Sequence, residues 1–84
     1  MRRLICTWED AHADASDWEE IDSLTTQARL IQTVGFEVKG GPVGCLTLAQ
    51  MWDPVEKTVS HVMHIPHGMI RALHEFRPGE VAAL

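Results

Sequence analysis

The stretch Val59-Ser60-His61-Val62-Met63-His64-Ile65-Pro66-His67-Gly68-Met69-Ile70 carries three histidines at steps of three, and its backbone state decides the fold. In one continuous helix the three imidazoles would gather on one face. Pro66 would then lie in the helix interior, where its ring meets the carbonyl of Val62 and Ile65 is pushed out of the helical region. If Lys57 to Ile65 is a strand, His61 and His64 differ by an odd number and point to opposite faces of a sheet, so they share no ion. The β-branched Thr58, Val59 and Val62 favour that second reading. Pro66 is then suited by its fixed φ to open a helix. Met69, Ile70, Leu73 and Phe76 fall on one helical stripe, and Arg77-Pro78-Gly79 stops it. The expectation is a strand ending at Ile65 and an amphipathic helix at about 66–76.

Working outward, Asp53-Pro54 ends an apolar run, residues 43–52 (VGCLTLAQMW), that reads as a central strand covered on both faces. Gly40-Gly41-Pro42 forces the turn before it. Leu30 to Val38 alternates, with Leu30, Gln32, Val34, Phe36 and Val38 on one face, and residues 3–9 do the same with Leu4, Cys6 and Trp8. Ser16-Asp17-Trp18-Glu19 fits a capping box, and Trp18, Ile21 and Leu24 follow at steps of three, so residues 17–24 read as a short helix, with a brief strand from Trp18 to Ile21 as the competing reading.

These elements place the chain in the α+β class. It is expected to form a small bent antiparallel sheet of four or five strands, or an SH3-like barrel, with one or two short helices. With 84 residues the whole chain is expected to be one small domain, and residues 79–84 a flexible tail. The 45% hydrophobic content, with three Trp and two Phe, is that of a folded protein.

A net charge of −5 and only seven scattered Lys and Arg argue against nucleic acid as the main partner. Arg2 and Arg3 precede an apolar stretch of just Leu4, Ile5 and Cys6, well short of a signal-peptide core, and no apolar run approaches a membrane span. Cys6 and Cys45 show no CxxC spacing and sit in apolar runs, as buried free thiols do. A reducing, cytoplasmic setting is expected.

No nucleotide-binding or hydrolase motif is present, and neither thiol is placed as a nucleophile. The histidines lack a nearby Cys pair at zinc spacing, and a site joining His12, His67 and His74 is not favoured by their separation. No metal, cofactor or catalytic residue is therefore expected. The strongest remaining feature is the run of acids Glu9, Asp10, Asp14, Asp17, Glu19, Glu20 and Asp22, which no Lys or Arg interrupts. A solvated acidic face is the plain reading, and the sharper one is a docking surface for a basic protein, formed by Asp14, Asp17, Trp18, Glu19, Glu20 and Asp22.

Trp8-Glu9-Asp10-Ala11, Trp18, Thr33-Val34-Gly35-Phe36, and Ile65-Pro66 with Ile70 occur in an order that resembles small tailed-bacteriophage proteins of undefined function. The resemblance implies a phage protein working in the host cytoplasm and carries over no catalytic residue. Together these readings describe a non-catalytic accessory protein that binds or inhibits a host or phage protein. The alternatives are a homo-oligomer assembled through the C-terminal helix or a sheet edge, and a small His-dependent metal enzyme.

Overall fold

The computed structural model describes residues 1–10, 18, 20–23 and 29–77. They form one five-stranded antiparallel sheet made of β1 (Arg3–Asp10), β2 (Arg29–Glu37), β3 (Cys45–Asp53), β4 (Thr58–Pro66) and β5 (Ile70–Phe76), in the spatial order β4-β3-β2-β1-β5. The first four strands follow the alternation read above to within a residue or two at their ends. Among the described residues β4 and β5 do not pair, so the sheet is open.

β1 lies along all of β2, from Arg3 opposite Phe36 to Asp10 opposite Arg29. β2 meets β3 only at Phe36–Ala49 and Glu37–Leu48, with Val38 N–H donating to the Thr47 carbonyl just beyond. The sheet therefore bends at the end of β2, and the β3–β4 hairpin folds over β1, β2 and β5. Leu4 and Cys6 from one half pack with Leu46, Leu48 and Ile65 from the other, and Trp8 and Ile70 border this cluster. Trp8 Nε1 donates to Thr33 Oγ1 at 3.0 Å, and that hydroxyl lies 3.7 Å from Met63 Sδ, a polar link between the halves.

Two local readings change. The helix expected at 66–76 is absent: Pro66 is the last residue of β4, His67–Met69 make one 3-10 turn, and Ile70–Phe76 is a strand. Arg71-Ala72-Leu73-His74-Glu75 is rich in helix formers, and its intrinsic preference of a few tenths of a kcal/mol per residue is outweighed by pairing along the bare edge of β1. In that register Cys6 faces Leu73 and Leu4 faces Glu75. The helix expected at 17–24 is reduced, among the described residues, to the 3-10 turn Ile21–Ser23. Asp17, Glu19 and Leu24 lie outside the described residues, as does the tail 79–84. The small sheet stands, and the two helices of the α+β reading do not. No helix among the described residues is long and apolar enough to cross a membrane.

The bend requires the backbones of β2 and β3 to touch. A Cβ on Gly35 would lie 2.8 Å from the Ala49 carbonyl oxygen and 3.3 Å from Leu48 Cβ, so no larger residue fits without moving a strand. Gly35→Ala is expected to lower unfolding stability in urea by about 1–3 kcal/mol. Gly68, with open space around its Cα, should tolerate alanine within about 0.5 kcal/mol. Equal midpoints for the two variants would show that the Gly35 contact does not constrain the bend.

Candidate functional site

β1 carries the chain out of the core at Asp10, and the acidic segment follows. Glu9, the first acid of the run, is already engaged. Glu9 accepts two hydrogen bonds from Arg71, Nε to Oε1 and Nη2 to Oε2, each 2.9 Å, and Asp10 stands opposite Arg29 across the β1–β2 ladder. Arg71 comes from a distant part of the chain, and residues 11–17 lie outside the described residues.

Of the residues expected to bind a partner, Asp14, Asp17 and Glu19 lie outside the described residues. Trp18 is completely exposed and Ile21 is 83% exposed, and Glu20 and Asp22 are exposed beside them. The structure thus brings an indole, an aliphatic side chain and two carboxyl-bearing residues onto one short surface segment. Ile21 was legible only as part of a helical stripe. It faces solvent because a single 3-10 turn has no packed face.

A second polar cluster surrounds the sheet's bend. Glu37, nearly buried, accepts from Arg2 Nε at Oε1 (2.9 Å) and from Arg2 Nη2 at Oε2 (2.6 Å), while Lys39 Nζ lies 3.5 Å from Oε1. Arg2 also reaches Glu75 on β5 at 3.5 Å. The Glu37 amide donates to the Arg2 carbonyl at 2.8 Å. The Arg2 hydrogen bonds hold the Glu37 carboxyl below the usual carboxylate range, overcoming the opposite push of burial. Every charge in this cluster has an opposite neighbour, so its role is to join β1, β2 and β5.

The histidines are separated. His61 and His64 lie three apart in β4, and His67 in the turn beyond it. His64 Nδ1 is 2.8 Å from the buried Thr47 hydroxyl, and His61 Nδ1 is 2.9 Å from Ser60 Oγ. Among the described residues no group of three or more His, Cys, Asp or Glu is disposed to hold a metal ion. Cys6 is fully buried and burial raises its thiol pKa, which suits a packing role; Cys45 is half-buried, and both are free. Where β2 and β3 part beyond Phe36, an open groove runs between Thr33, Val34, Gln50, His61 and Met63. It is shallow and encloses no cluster of titratable groups.

No protein-family model matches this chain, and no curated protein or solved structure does either.

Because folding lowers the pKa of Glu37, its stabilisation is fully present above the unfolded carboxylate value, about 4.3, and is lost as pH falls through the folded value. Arg2 is half-exposed, so solvent screening weakens the pair. Glu37→Gln should lower the urea midpoint at pH 7 and flatten its decline between pH 5 and pH 3. An unchanged acid profile would remove Glu37 from the acid-sensitive groups.

Proposed function

We propose that this chain is a non-catalytic interaction protein that docks on a basic surface of a host or phage protein through the acidic segment around Trp18. The observation that carries the reading is the complete exposure of Trp18 beside exposed Ile21, Glu20 and Asp22. A large aromatic ring left in water beside carboxylates has the composition of an interface anchor inside a charged rim. Docked against a basic surface, the ring buries its area while the carboxylates steer the encounter. Glu9 is held by Arg71 within the fold, and the sequence carries five further acids from Asp14 to Asp22.

The sheet serves as the scaffold. Its strand order, its bend at Phe36–Glu37 and the 3-10 turn before β5 support an SH3-like arrangement. A phage accessory protein acting in the host cytoplasm is the setting that the residue pattern implies.

The test is capture from bacterial lysate, identification of the bound protein by mass spectrometry, and measurement with the purified pair. Trp18→Ala should weaken binding by about thirtyfold or more, the scale of an interface anchor. Lysine at Glu19, Glu20 and Asp22 together should slow association, and added salt should reduce the wild-type rate markedly. Equal binding by all three proteins would overturn the reading.

A further inference from the structure

The basic residues are scattered along the chain, and the sheet gathers three of them at the corner where β1 begins and β2 and β5 end: Arg2, Arg3 and Lys39, beside Glu37, Glu75 and Phe76. Both carboxylates there are already matched, Glu37 by Arg2 and Lys39, and Glu75 by Arg2. Arg3 is exposed, and among the described residues it has no ion pair. It stands on the face of the sheet away from Leu4 and Cys6, directly between Phe36 on β2 and Phe76 on β5. Each ring is half-buried and meets a neighbouring ring edge-on, Phe36 with Trp52 at 5.8 Å and Phe76 with His74 at 5.4 Å between centroids. With Val34 and Gln50 these residues line an open hollow of about 300 Å³. Two aromatic walls around an unmatched guanidinium suit a flat apolar ring with negative charge beside it.

We propose that this hollow receives Trp18 of a second copy, so that molecules join head to tail. The chain itself displays the ligand that the hollow suits: Trp18 is completely exposed, Ile21 is 83% exposed, and Glu20 and Asp22 are exposed beside them. Within a single chain the indole is in water, so it does not fill the hollow of its own molecule. Seated on a neighbour, it lies between Phe36 of the partner subunit and Phe76 of the partner subunit, under the guanidinium of the partner subunit's Arg3. The carboxylates of Glu20 and Asp22 then approach the corner where the neighbour has its unmatched cation. That local match of opposite charge selects this orientation for two chains that each carry −5 overall. The contact is heterologous, because each copy offers a different surface. A pair joined in this way still has a free Trp18 at one end and an open hollow at the other, so association continues beyond two copies.

This rests on the reading of Trp18 as an interface anchor and names the partner of that anchor. Sedimentation equilibrium of the full chain, from about ten to several hundred micromolar, the range of a small interface, should show the average mass rising from 9.4 kDa to beyond twice that value. Trp18→Ala, which removes the anchor, should weaken self-association by about thirtyfold, and Arg3→Glu, which reverses the charge of the hollow, by about tenfold. Mixed in equal amounts, the two variants should form a dimer and nothing larger, since Trp18→Ala keeps its hollow and Arg3→Glu keeps its Trp18. A wild-type chain that stays monomeric throughout the range would overturn the proposal. So would association that either variant leaves intact while circular dichroism shows it folded, or a mixture that forms no dimer. A monomeric chain that binds a single-stranded oligonucleotide through Arg3 would also overturn it, giving the hollow to a different ring-bearing anion. Arg3→Glu separates this proposal from the docking role of Trp18: it should lose self-association and keep the capture of a lysate protein, whereas Trp18→Ala should lose both.

Discussion

The approach of the β2 and β3 backbones at Gly35 and Ala49 is the contact on which the rest of the structure depends. A longer β2–β3 ladder would hold the sheet flatter and leave Leu46, Leu48 and Ile65 facing water. Ending that ladder after two residue pairs lets the β3–β4 hairpin turn back, so that these side chains meet Leu4 and Cys6. A chain of this size has only a small core to offset its conformational entropy. Losing the bend would therefore remove most of the burial that keeps the molecule folded. The Arg2–Glu37 pair sits at the same place and ties β1 to the strand that turns the corner.

Charge is distributed by this geometry into two kinds of surface. Around the bend and along β5, acids and bases of distant sequence are matched: Arg2 with Glu37 and Glu75, and Arg71 with Glu9. Beyond Asp10 the chain continues with acids and no Lys or Arg as far as Asp22. Matched pairs hold strands together, whereas a run of one sign raises a field that acts on other molecules. These matched pairs thus lie on the sheet, while Trp18, Glu20, Ile21 and Asp22 are exposed.

What was legible in the sequence followed from period-two burial. Leu4, Cys6 and Trp8 alternate because β1 has one wet face, and the largely apolar run of residues 43–52 reflects a strand covered on both faces over Leu46 to Ala49. The complete exposure of Trp18 was not legible, since its spacing puts it on the same stripe as Ile21 and Leu24. The position of Ile21 was misread because a spacing of three says nothing about what the stripe packs against.

By itself the sequence determined the strand periods, the turn at Gly40-Gly41-Pro42 and an end to the strand near Pro66, though the break comes after Pro66, which stays extended, and not before it. Only the tertiary structure decided what lies beyond that break. Ile70 to Phe76 has a helical stripe and helix-forming residues, yet it is a strand, because β1 presents an unpaired edge more than sixty residues earlier in the chain. The match between Arg71 and Glu9 was equally hidden, for a hydrogen bond across such a separation leaves no local period to read.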